Sequence, residues 1–85
     1  DRNPRFVRGL LHLGSLYAAD GQGRQAAECY RQAIRCGADW PDVHCRLGEL
    51  IGADDTPTAV THLKRALELK PDYSRATRAL QTIAA

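Results

Sequence analysis

Leu10-Leu11-His12-Leu13-Gly14-Ser15-Leu16-Tyr17 decides the fold, because the chain writes a matching stretch again as His44-Cys45-Arg46-Leu47-Gly48-Glu49-Leu50-Ile51. Leu13, Gly14 and Tyr17 return 34 residues later as Leu47, Gly48 and Ile51. Ala26, Tyr30 and Ala33 return 33 residues later as Ala59, Leu63 and Ala66. Pro4 and Pro71, each ahead of a comparable helix, lie 67 residues apart, one step of 34 and one of 33. Periods of this size mark stacked helical repeats, in which each unit buries its apolar face against its neighbours. Such arrays act by presenting surface. The pattern therefore speaks to the class of function and says little about the partner.

Within each copy, apolar residues recur at three- and four-residue intervals and no segment alternates with period two, so every element is predicted helical. Leu10, Leu13, Gly14 and Tyr17 form one face of a helix near residues 6–20, broken by Asp20-Gly21-Gln22-Gly23. Ala26, Ala27, Tyr30, Ala33 and Ile34 line a second near 24–36, stopped by Gly37. Asp39, with Asp42 three residues on, is the expected N-cap of a third helix that runs to Ile51-Gly52. Thr56 is the expected cap of a fourth, with Pro57 in its first turn and an end at Pro71. Asp72 is the expected cap of a fifth segment carrying Tyr73, Ala76, Leu80 and Ile83 on one side. Gly14 with Ala26, and Gly48 with Ala59, are expected where paired helices cross, because missing side chains let backbones approach. Ala33 and Ala66 are expected to do the same between one repeat and the next.

These matches resemble the tetratricopeptide repeat, whose signature runs W-x2-L-G-x2-Y, then A-x3-F, then a closing P. The first copy reads Leu10, Leu13-Gly14, Tyr17, Ala26, Tyr30 and Ala33, with Ala38 at the proline position; the second reads His44, Leu47-Gly48, Ile51, Ala59, Leu63 and Ala66, then Pro71. Neither copy has the first aromatic, and the second lacks one residue in its internal turn. The resemblance covers residues 7–73, about four fifths of the chain. It implies an all-α, right-handed αα-superhelix of two helix-turn-helix repeats plus a C-terminal helix. As a single domain over 1–85, it divides into repeats 7–40 and 41–73 and a terminal helix 74–85, read as a capping helix. The chain opens at Asp1 without a methionine, and Asn3-Pro4 has the form of the tail of an earlier repeat, so the sequence reads as an excerpt from a longer protein. An absent upstream neighbour would leave Phe6, Leu10 and Tyr17 exposed and the chain inclined to associate.

Composition sets outer bounds. Eighty-five residues with 44% apolar content suit one small globular domain. A net charge of +2 is too low to imply nucleic acid. No run approaches the ~20 apolar residues of a membrane span. Ten of the twelve basic residues are arginine, which favours bidentate contacts to carboxylates. Cys29, Cys36 and Cys45 follow no metal or redox spacing, so they read as reduced thiols without metal in a reducing, cytoplasmic setting. No phosphate loop, nucleophile elbow or zinc-protease motif is present, and no cofactor or catalytic activity is expected. His44 has the spacing of a core residue, whereas His12 and His62 read as surface groups. Asp54-Asp55 reads as a solvated turn ahead of a cation site.

What remains is a groove. The resemblance implies that the first helix of each repeat lines a concave, peptide-binding surface. There the candidate residues are Arg8, Leu11, His12 and Ser15, then Asp42, Arg46 and Glu49, then Arg75 and Arg78. Four arginines against two acids make the strip modestly basic, suited to an acidic or C-terminal carboxylate-bearing segment of a partner protein. Leu11, Cys45 and Ala53 are expected to leave shallow apolar ground between the charges. The family's best-known subset grips a terminal carboxylate with lysine and asparagine at the positions of Leu11, Ser15 and Arg46. Leu11 and Ser15 do not match, so that clamp is not expected. The competing expectations are a self-assembly module and a substrate-positioning domain of a larger enzyme.

Overall fold

The three- and four-residue periodicity becomes five α-helices in a computed structural model that describes residues 4–84, with side chains for 5–83. They are α1 (Pro4–Ala19), α2 (Gly23–Arg35), α3 (Pro41–Ile51), α4 (Thr56–Leu69) and α5 (Ser74–Ala84), with no strand among the described residues. Asp1–Asn3 and Ala85, including the expected repeat tail at Asn3, lie outside the described residues. Each helix packs on the next, and α5 also reaches back to α3. This is a tetratricopeptide-like solenoid in which helices pair as antiparallel hairpins. Its core falls into two clusters: Leu10, Tyr30, Val43, Leu47 and their neighbours in one, and Cys45, Leu63, Ala66 and Ala76 in the other. Half-buried Ile83 packs against both. Leu47 and Leu63 are fully buried, and each such side chain stabilises the fold by about 1.5–3 kcal/mol relative to exposure.

Glycine ends α2 as the sequence suggests: Gly37 takes φ 106°, a left-handed value that L side chains rarely adopt. The N-caps differ from expectation. Trp40 occupies the N-cap of α3 with extended backbone and no side-chain cap, ahead of Pro41. Asp39 is drawn away instead by Arg65, a residue 26 positions later on α4. Asp55, not Thr56, caps α4 by accepting from the Thr58 amide at 3.3 Å, while the Thr56 hydroxyl donates back to the Gly52 carbonyl at 2.9 Å. At α5 the Thr77 amide donates to the carbonyl of Tyr73, so Tyr73 rather than Asp72 opens the helix.

The N-terminal flank also differs. Phe6 is 48% exposed, but Leu10 is buried and Tyr17 half-buried; Leu13 and Leu16 take their expected place at 41% and 54%.

The glycines fix how closely helices cross. A Cβ placed on Gly48 would lie 2.7 Å from Leu63 Cγ and 3.1 Å from the Ala59 carbonyl oxygen. On Gly14 it would meet the Tyr30 ring at 3.0 Å, and on Gly9 it would meet nothing within 4 Å. Gly48→Ala is therefore expected to lower stability by about 1–3 kcal/mol, since neither a branch carbon nor a backbone oxygen can yield cheaply. Gly9→Ala, in an exposed turn, is expected to raise it by about 0.5–1 kcal/mol through backbone entropy and helix propensity. Urea denaturation followed by circular dichroism measures both.

Candidate partner-binding groove

Helical spacing on α1, α3 and α5 brings the candidate strip together as two recesses that share α3. The smaller, about 140 Å³, is lined by Leu11, Ser15, Tyr30, Asp42, Val43 and Arg46. Tyr30 is almost fully buried, and its hydroxyl lies 3.3 Å from the Ser15 hydroxyl, which fixes the recess wall. The larger, about 360 Å³, is lined by Glu49, Arg75, Arg78, Ala79, Thr82 and Ile83. Half-buried Ala79 and Ile83 give it apolar ground. Arg8 and His12 are exposed on α1 and line neither recess.

The charges are less free than a helical projection implies. Arg75 grips Glu49 with both arms of its guanidinium, Nε to Oε2 at 3.0 Å and Nη2 to Oε1 at 2.9 Å. That pairing raises the Arg75 pKa and fills the fork expected to await a ligand. Arg8, Arg46 and Arg78 make no ion pair with any described residue, so three arginines face one unpaired acid, Asp42. The expected apolar ground also shifts. Cys45 is fully buried and cannot meet a ligand, and Ala53 lies past the end of α3. Burial pushes the Cys45 thiol up, helped by the Glu49 carboxylate, and burial likewise pushes up Cys29. Raised thiols are poor nucleophiles and poor metal ligands. Among the described residues no three His, Cys, Asp or Glu side chains converge.

Two arrangements outside the groove escape sequence reasoning. A cleft of about 730 Å³ opens between α2 and the end of α3, with Arg24, Arg31, Glu28, Asp54 and Asp55 on its rim. The second is a polar chain across the α3–α4 hairpin. His44 is buried, and its ring stacks on half-buried His62 with centroids 5.2 Å apart. Their Nδ1 atoms lie 3.0 Å apart, and His44 Nε2 lies 2.6 Å from Asp39 Oδ1. Because the carboxylate only accepts, His44 Nε2–H donates to it; in the neutral pair His62 Nδ1–H then donates to His44 Nδ1. Asp39 also accepts from Arg65, at 3.1 Å from Nε and again from Nη2. The only sequence signal was His44 standing at the signature's aromatic position. His62, read as a surface group, is instead part of this stack.

This chain makes stability pH-dependent in two separate windows. Burial, His44 and Arg31 lower the His62 pKa below its ordinary 6.5. Below 6.5 the unfolded chain then binds more protons, so stability is full above that pH and falls as pH drops through the folded value. Asp39 is held well below the ordinary carboxylate range by hydrogen bonds from Arg65 and His44, so its contribution is lost only in stronger acid. Urea midpoints are expected to fall between about pH 7 and 5, and His62→Phe, which keeps a stacking ring that cannot titrate, should flatten that slope.

No protein-family model matches the chain. Over 72 residues, 84% of its length, it is 32% identical to the anaphase-promoting complex subunit CDC16 of Saccharomyces cerevisiae. It spans 9% of that protein. The doubled helix-pair signature, five helices packed in sequence order and this likeness to a repeat-containing subunit agree: the chain belongs to the tetratricopeptide-repeat family, as a protein–protein interaction module.

Proposed function

We propose that the chain holds an extended peptide, or a segment of a partner protein, along α1, α3 and α5, with no catalysis of its own. The observation that supports this is the pair of recesses sharing α3, one small and polar, the other with apolar ground beneath an arginine rim. A ligand side chain of modest size rests on Ala79 and Ile83. A carboxylate, from a C-terminus or an acidic residue, meets Arg46 or Arg78, whose planar forks match it bidentately. Arg8 and His12 extend the basic strip along α1. Glu49 is neutralised by Arg75, so Asp42 alone opposes strongly acidic ligands or accepts a ligand lysine. Ser15 and Leu11 shape the smaller recess without charge.

The partner class is protein. Three separated arginines make too sparse a basic patch for phosphate backbones. No described helix is long and apolar enough to cross a membrane. Three free cysteines suit a reducing compartment such as the cytoplasm. The working unit is one domain with repeats 7–40 and 41–73 and a terminal helix 74–85.

The test is a peptide panel with free and amidated C-termini, titrated against the chain and its charge reversals. Arg46→Glu and Arg78→Glu are expected to weaken the best free-carboxylate peptide about tenfold or more, at ~1.4 kcal/mol per tenfold. Arg31→Glu, on the other cleft beside Glu28, should leave it unchanged. Affinity should fall with added salt, because the groove charges are exposed and screened. Equal losses at Arg31 and Arg46 would move the interaction off this groove.

A further inference from the structure

Helix α1 carries three faces. Val7, Leu10 and Gly14 turn to the core, and Leu11 and Ser15 turn to the groove. The third face is a stripe of Phe6, Gly9, Leu13 and Leu16, spaced three, four and three residues apart and all exposed. Three large apolar side chains at 48%, 41% and 54% exposure surround a glycine that nothing in the chain requires, since a Cβ there meets open space. A mid-helix glycine without a close neighbour costs helix stability and returns nothing within one chain.

We propose that this stripe is the interface for a second copy of the chain, with the two α1 helices packed antiparallel about a two-fold axis near Leu11. That register is self-complementary. It sets Phe6 of one copy against Leu16 of the other, and Leu13 of one copy into the gap left by Gly9 of the other, twice over. A parallel pairing would set Gly9 against Gly9 and Leu13 against Leu13, leaving a void beside a clash. The charges select the same direction. Arg5 and Arg8 lie in the N-terminal half of α1, its first turn has no acid and its last turn no base, and Asp20 follows its end. Antiparallel packing brings each basic half beside the other helix's negative end, where free carbonyls and Asp20 lie. The stripe is distinct from the groove face, so both grooves stay open in the pair. A contact of one helix pair falls below the about 1,200 Å² of stable interfaces, so the dimer is weak.

Sedimentation velocity over about 10 µM to 1 mM, the range where so small an interface is read out, tests this on the native chain, Gly9→Leu, Leu13→Glu and Arg46→Glu. The native chain is expected to approach the mass of two chains and stop there, since an isologous contact closes. Gly9→Leu should keep its helical circular dichroism and melt no lower, yet dimerise at least tenfold more weakly because the gap is filled. Leu13→Glu should also weaken the dimer, and Arg46→Glu, in the groove, should not. A native chain that stays monomeric means the stripe serves another occupant and overturns the proposal. So does growth beyond two chains, the sign of head-to-tail stacking, or a Gly9→Leu variant that associates as well as the native chain.

Discussion

The approach of α3 to α4 at Gly48 is the contact on which the rest of the molecule depends. Leu63 lies where a Cβ on residue 48 would stand, and the Ala59 backbone closes the other side. Helix α3 packs on α2, α4 and α5, so its distance from α4 sets the position of every later element. It also carries Asp42, Arg46 and Glu49 to the groove and His44 to the hairpin's polar chain. A methyl group at residue 48 would push on all of these at once. Gly14 plays the matching part between α1 and α2, against a Tyr30 ring rather than a branch carbon and backbone oxygen.

The fold was legible because its determinants are local and repeated. A small residue facing a large one at a fixed offset is a steric instruction, and the chain gives it twice, at Gly14 with Tyr30 and Gly48 with Leu63. Gly37 was legible for the same reason, since its positive φ needs only its own backbone. The caps at Asp39 and Thr56 were misread because a capping residue has more than one possible partner. Arg65 outcompetes the α3 amides for Asp39, and nothing near residue 39 in sequence announces a partner 26 positions away.

The candidate site was legible to the level of a helix face and no deeper. A helical projection names Cys45 and Arg46 as neighbours, yet one is fully buried and the other exposed, because α5 covers only one side of α3. It counts Arg75 as a free cation, although Glu49 holds it. An exposed pair of this kind contributes about 0–1 kcal/mol to stability. Its larger effect is on recognition: it removes one cation and one anion from the groove, leaving Arg46 and Arg78 as the forks nearest the recesses. Leu13 shows the same limit, placed by periodicity on a buried face that α2 does not reach.

Tyr30 is where the groove and the end of the array meet. Its ring fills the space opened by Gly14, its hydroxyl meets Ser15, and it walls the recess that also holds Asp42 and Arg46. A rotation of α1 about its own axis would turn Ser15 away from that hydroxyl and reshape the smaller recess. The larger recess, built on α3 and α5, contains no residue of α1. Whatever steadies α1 from its outer side therefore acts on the first recess through Tyr30 and leaves the second untouched. The array is thus two binding units in series with unequal support: the α3–α5 half is braced by Gly48 and by the Glu49–Arg75 pair, while the α1 half relies on one aromatic ring.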